Sequence, residues 1–200
     1  DAVDEAVFLA FNFPLLPAKP AAVTLKFYRD TPVERGKSYT INAGTQVSTD
    51  NALTFNVTVA GTLDLTASAN GQGNISSTGI AVLGVGTNFL SYLKVDAKIT
   101  VAGQTRYVDS IIDDENLLVD AVFNPDVLNE TWTYQNPAME IFLPAECSQA
   151  GAVGNVVAGT ITNFTTPING VQYVTNPNDA VDGRDLETKD ARIVRFNDFI

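Results

Sequence analysis

Few side chains in this 200-residue sequence could do chemistry, and histidine is not among them. Without imidazole, Ser-His-Asp catalysis, Cys-His catalysis and histidine-ligated metal sites are closed to the chain. The one cysteine, Cys147, has no histidine to activate it and reads as a small packed side chain rather than a nucleophile. Acids cluster at Asp113-Asp114-Glu115 and again at Asp179, Asp182 and Asp185. Neither group follows the D-x-[DN]-x-[DN]-G spacing of a calcium loop, and Asp and Asn are ordinary residues of solvated hairpin tips. A glycosidase-type carboxylate pair can be drawn from residues far apart in sequence, but nothing in the spacing favours one. Gly151, Gly154 and Gly159 are not followed by the Lys-Ser/Thr of a phosphate loop. They read instead as places of positive φ or close backbone approach at a bend between strands. Trp132 and Tyr134 alternate with Thr131 and Thr133 and share a face, which suits a sugar-stacking platform or, more commonly, a barrel core or rim. The sequence thus offers no catalytic residue, no metal ligand and no cofactor-binding set.

The composition narrows the partners. With 12 basic against 23 acidic residues the formal charge is −11. Such a surface repels nucleic-acid phosphates and anionic membranes, and no Lys/Arg cluster offsets the repulsion. No apolar run reaches the ~20 residues that a membrane-spanning helix needs. The segment Asp1–Phe13 carries acids where an export signal would carry bases. A lone cysteine excludes an internal disulfide and fits a reducing compartment. At 45% hydrophobic and 18% charged the chain is globular in composition, long enough for one large domain or two small ones.

The elements that would position these residues are mostly strands. Val3, Ala6, Val7 and Ala10 have helical spacing that Pro14 ends, and Pro17 and Pro20 make the following stretch an extended connector. The period then changes to two: Val23, Leu25 and Phe27, and later Leu53, Phe55, Val57 and Val59, alternate with polar residues. Further strands are expected at 98–101, 106–112, 117–119, 131–134, 140–143 and 171–175, with turns at Ala102-Gly103-Gln104 and at Asp113–Asn116. The last segment returns to helix. Asp185 is the expected N-cap, Glu187 suits the helix start, and Leu186, Ile193, Phe196 and Ile200 share one apolar face. The sequence stops inside this helix without a capping signal, so either the chain is cut from a longer one or the helix needs a partner.

Three motifs in order carry a family resemblance. Val23–Arg29, then Ile41-Asn42-Ala43-Gly44-Thr45-Gln46-Val47 and Phe55, is similar to a strand followed by an I-P-A-G-T-x-V turn, with Asn42 in place of proline. Ala145 through Ile161 resembles A-x-x-x-G-x-x-G-N-x-x-x-G-x-I. Gly170-Val171, Val174-Thr175-Asn176 and Gly183-Arg184-Asp185-Leu186-Glu187-Thr188 with Arg192 and Arg195 resemble a gV…V-x-N…G-G-x-D-x-E-S…R ending, with Asp182 for the first glycine. These are patterns of the baseplate J-like family of contractile phage tails, and they cover roughly residues 1–65 and 137–200. The middle does not fit that pattern. Val82-Leu83-Gly84-Val85-Gly86-Thr87-Asn88-Phe89 resembles the V-x-G-x-G-T-x-F of small phage β modules, and the polar, glycine-rich Ser68–Asn74 reads as a boundary.

The expected fold is therefore mainly β: a discontinuous core, 1–67 plus 137–200, interrupted by a small β-barrel-like module at 68–136, with short helices at both ends. The resemblance implies a structural virion protein and not an enzyme, a wedge component of the tail baseplate involved in assembly and sheath triggering. It implies wedge and hub neighbours and further copies of the chain as partners, with assembly in the bacterial host cytoplasm. The terminal helix, through Leu186, Ile193, Phe196 and Ile200, is the expected assembly element. A carbohydrate- or receptor-binding tail module and a virion-associated glycan hydrolase are the alternatives.

Overall fold

The computed structural model describes residues 7–199, and these are mainly β with few, short helices. They form two compact units. The first takes the chain up to Tyr28, Ile41–Gly61 and Phe142 onward; the second takes Arg29–Thr40 and Thr62–Ile141.

The first unit is a six-stranded sheet of β1 (Pro20–Tyr28), β3 (Gln46–Thr49), β4 (Thr54–Val57), β13 (Glu140–Ala150), β14 (Ile161–Phe164) and β15 (Tyr173–Thr175), in the order β14-β3-β4-β13-β1-β15. The period-two pattern explains it. Along β1 the residues Ala21, Val23, Leu25 and Phe27 turn inward, and Val47, Phe55, Val57, Leu143, Ala145 and Cys147 do the same on their strands. Fully burying a side chain such as Phe55 contributes about 2–3 kcal/mol. β13 runs well past the expected 140–143, because Pro144 does not end it. Pro144 faces outward, and its carbonyl still accepts from the Thr58 N–H at 2.9 Å. The first and last strands, β14 and β15, lie side by side, so the sheet curls into a nearly closed barrel.

The second unit is a seven-stranded sheet in the order β6-β12-β9-β10-β11-β8-β7. Its strands are β6 (Ala69–Asn70), β7 (Asn74–Thr78), β8 (Ala81–Val85), β9 (Lys98–Val101), β10 (Gln104–Ile111), β11 (Asn116–Val119) and β12 (Trp132–Gln135), with a short helix α2 (Phe89–Tyr92). This ring also closes. Ile75 and Glu130 exchange both backbone hydrogen bonds at 2.9 Å, and Ser77 N–H donates to Val127 O, so β7 lies along the segment that leads into β12. Inside sit Ile75, Val82, Phe89, Ile99, Val108, Leu117 and Trp132 among others.

The units differ from the sequence expectation of 68–136 against the rest. Residues 29–40 go with the second unit, since Arg29 N–H donates to Met139 O (3.0 Å), Val33 N–H to Ala138 O (2.9 Å), and Val33 is 3% exposed. Arg35 pairs with Asp96 (2.7 Å), Asp109 (3.5 Å) and Asp120 (3.8 Å). Nothing in 29–40 has strand periodicity, so the sequence could not assign this strap. The short β2 (Tyr39–Ile41) and β5 (Gly61–Leu63) form a separate two-stranded ribbon.

Residues 7–10 are helical (α1), within the expected helix at 1–13, whose first six residues lie outside the described ones. The last helix, α3, spans Lys189–Asn197. The expected start at Asp185 is corrected: the cap is Thr188, whose hydroxyl accepts from the Ala191 N–H at 3.2 Å, and 185–188 precede the helix. Asp185 cannot cap because its carboxylate is already taken by the Ala152 N–H at 2.9 Å.

Candidate functional site

The residues that carried the family-like motifs converge on the seam of the first barrel. Among the described residues no β-ladder joins β14 to β15, and Asn176 supplies hydrogen bonds across the gap. Its Oδ1 accepts from the Ile161 N–H (2.9 Å), and its Nδ2 donates to the carbonyls of Val157 and Asn178 (both 2.9 Å). Its own carbonyl accepts from the Gly159 N–H at 2.8 Å, and the residue is 0% exposed. A primary amide suits this place because it presents one acceptor and two donors, as a stretch of backbone would.

Asn155 makes a second clasp of the same kind, donating to Gly183 O at 2.9 Å and accepting from Gly183 N–H at 2.8 Å. Gly183 must be glycine, since a Cβ there would stand 2.5 Å from Gly151 O and 2.8 Å from Asn155 Oδ1. The bend between them uses Gly151 and Gly159 at positive φ (131° and 76°). Gly154 allows a close approach, as its Cβ would meet those of Ala21 (2.9 Å) and Cys147 (3.0 Å). The glycines are thus structural in the way the sequence implied, and Cys147 is a buried free thiol beneath them.

Most of the acids that suggested calcium accept from backbone N–H groups. Asp179 accepts from Ala158 N–H (2.8 Å), Asp185 from Ala152 N–H (2.9 Å), and Asp182 lies 3.8 Å from the Lys19 ammonium. Asp113 accepts from the N–H groups of Glu115 and Asn116 (both 2.8 Å) and from the Asn116 amide, which holds its carboxyl below the ordinary range. Among the described residues no group of three or more His, Cys, Asp or Glu is arranged to hold a metal ion. Trp132 is 3% exposed, edge-on to Phe89 at 5.6 Å, with Tyr92 and Tyr134 tilted against it at 6.0 and 5.8 Å. It is therefore barrel core, and no sugar can reach its face.

Beyond the clasp the two ends of the described chain run together. Lys19 and Arg184 exchange backbone hydrogen bonds, and Glu187 N–H donates to Leu16 O while the Glu187 carboxylate accepts from Leu16 N–H (2.9 Å). The Arg195 guanidinium holds that carboxylate at 2.7 and 2.8 Å and donates to Pro14 O at 2.8 Å. This ion pair, above all, pulls the Glu187 carboxyl down from 4.5 to about 2. Phe196 of α3 sits in a cage of Phe8 (5.2 Å), Phe11 (5.4 Å) and Phe13 (5.2 Å), against Phe199. Arg192 covers Phe8 at 3.8 Å and Arg195 covers Phe13 at 3.9 Å. These are cation–π stacks, which contribute more as they are desolvated.

The expected apolar stripe is therefore divided. Phe196 is buried at 8%, Ile193 is at the surface at 37%, Leu186 lies before the helix and is 59% exposed, and Ile200 falls outside the described residues. Val194, at 62%, replaces Phe196 on the outward side. Sequence reasoning missed the partner of Phe196, although the triplet Phe8, Phe11, Phe13 was there to be read.

Residues 127–183 match the model of the Baseplate J-like protein barrel domain. That span contains both clasp asparagines and the bend glycines. No curated protein sequence matches the chain. Among solved structures, a chain of the cryo-EM structure of the anti-feeding prophage baseplate is similar at 12% identity, with a TM-score of 0.42, over 97% of this chain and 41% of that one. The chain thus spans well under half of that relative's length. Residues 127–183, which include the clasp that closes the seam of the first barrel, are thus similar to the baseplate J-like barrel domain.

Proposed function

We propose that the chain is a structural component of the baseplate of a phage tail or a related contractile injection machine, a wedge element and not an enzyme. The observation that carries this reading is the match of residues 127–183 to the baseplate J-like barrel domain. The chemistry agrees with it: the bend glycines and the carboxylates of Asp113, Asp179 and Asp185 serve backbone geometry, leaving a scaffold that presents surfaces. Its partners on this reading are neighbouring baseplate proteins and further copies of itself, assembled in the bacterial host cytoplasm, with rearrangement of the wedge passed on to the sheath.

The helical pair at the ends is the proposed assembly element. Leu9, Phe11, Val194 and Phe199 expose 55–78% of their surface there, and clustered exposed apolar side chains of this kind mark interaction sites. Labelling the protein and locating it in native particles by electron microscopy tests the reading. Label at the baseplate is expected, together with particles that lack baseplates when the gene is deleted. Label on the fibres or in the capsid would overturn it.

A further inference from the structure

In the second barrel, β8 alternates strictly, with Val82 and Gly84 inward and Ala81, Leu83 and Val85 outward. Outward residues on the outer face of a barrel are ordinarily polar. Here Leu83 is 51% and Val85 63% exposed. Leu83 lies opposite Ser76 of β7 and Asn116 of β11, so small polar side chains flank it and do not cover it. The stripe continues at both sides: Ile112 at the β10–β11 turn is 61% exposed, and Leu128, beside β7, is 80% exposed.

The charge around this stripe has one sign. Asp113, Asp114 and Glu115 form the turn next to Asn116, with Asp126 and Glu130 on the side of β7. No cation is near in sequence to balance them. The chain has no lysine or arginine from Ser38 to Leu93, nor from Tyr107 to Gly183, and these two stretches supply β7, β8, β11 and their turns. A solvated face would mix signs, and an apolar face meant for lipid would avoid an acidic rim.

We propose that the outer face of β7, β8 and β11 is a docking surface for a protein segment that presents lysine or arginine beside apolar side chains. Leu83 and Val85 would supply the contact that is desolvated. The acids on either side would steer and orient the partner, chiefly through the association rate. A second copy of the same face cannot be the occupant, since it would bring acids against acids. This inference concerns the surface alone and does not depend on the baseplate reading.

The test uses the full chain and a fluorescent peptide of alternating lysine and leucine as the probe, read by anisotropy. Binding is expected, weakening roughly tenfold between 50 and 200 mM salt as screening of exposed charges dictates. Leu83→Ser with Val85→Ser should lose tenfold or more. Glu115→Gln with Glu130→Gln, which leaves the apolar stripe intact, should lose severalfold together with most of the salt dependence. Val153→Ser with Val157→Ser removes exposed valines from the other unit and should bind as the unaltered chain does. Equal loss in all three variants would mark nonspecific sticking and overturn the proposal, as would unchanged binding in the first two. Binding to zwitterionic phosphatidylcholine vesicles with none to the peptide would make the face a lipid surface and likewise sink it. Should the serine pair fail to fold, the glutamine pair decides alone.

Discussion

At the scale of single residues, the strongest claims rest on two asparagines and one glutamate. Asn176→Ala strips partners from one N–H and two carbonyls in a seam from which water is excluded. Each buried group left unsatisfied costs about 1–3 kcal/mol, so a loss on the order of 3 kcal/mol is expected. For a chain of this size that lowers the melting temperature by roughly 6–12 °C, measurable by calorimetry. Asn176→Asp keeps the acceptor for Ile161 N–H but sets a carboxylate against two carbonyls, and is expected to fare no better. Glu187 titrates in a definite direction. Its carboxyl is held at about 2 in the fold against an ordinary 4.5, chiefly by Arg195. The stabilisation of the paired chain ends is therefore present above pH 4.5 and is lost as the pH falls from there toward 2. The protection of the α3 amides, taken relative to the intrinsic exchange rate at each pH, should fall through that window, and in Glu187→Gln it should already be low at pH 6 and flat with pH. Much of this site was legible as letters but not as physics. The motif glycines and Asn176 stood out through resemblance, whereas the bonds of Asn176 join Val157, Ile161 and Asn178, which only the closed barrel brings around one amide.

Elements were legible where one face is buried and obscure where it is not. β1, β4 and β9 follow from alternation alone, because a one-residue slip would turn Leu25 or Phe55 to solvent. β6, β7 and β14 lack that signature: β6 falls inside the polar stretch Ser68–Asn74 that reads as a boundary, and Asn74–Thr78 is asparagine, serine and threonine around a single isoleucine. The terminal helix failed differently. Its apolar residues are real, but which of them pack is decided by the phenylalanines at the other end of the chain. That division gives a prediction. Phe196→Ala removes a buried ring from between Phe8, Phe11 and Phe13, a change that costs about 3–5 kcal/mol in a packed core. Since α3 packs on the chain ends, the loss is expected as fast hydrogen exchange in 189–197, with the barrel amides of β1 and β13 unchanged. Ile193→Asp with Val194→Asp alters only surface positions. It should leave α3 protected while reducing incorporation into particles. Loss of protection in the aspartate pair would assign those residues to packing instead of assembly.

At the scale of the whole molecule, the question is whether the first barrel stands without the second unit. Every ladder of its six strands pairs strands that belong to it, with Asn176 across the remaining seam. Removing residues 70–135 alone, the excursion that the sequence suggests, would cut the second unit incorrectly. It would strand the strap 29–40, exposing Val33, and take Asp96, Asp109 and Asp120 away from Arg35. The better excision replaces 29–38 and 64–139 with short glycine-serine linkers, keeping the β2/β5 ribbon and all of β13. Shortening the long excursion relieves loop-closure entropy by only about 1–2 kcal/mol, because that cost grows logarithmically. One exposed core aromatic would cancel the gain, so survival of the excised chain depends on how completely the first barrel owns its core. The expected product is soluble, with a β-type circular dichroism spectrum and a cooperative melt, whereas the 70–135 deletion melts broadly and aggregates. The sharp discriminator is Asn176→Ala placed in the excised chain. If the barrel is self-contained, the substitution should lower its melting temperature by about as much as in the full chain. If the excised chain has no sharp transition to lower, the second unit is part of the first barrel's folding and the two-unit division fails.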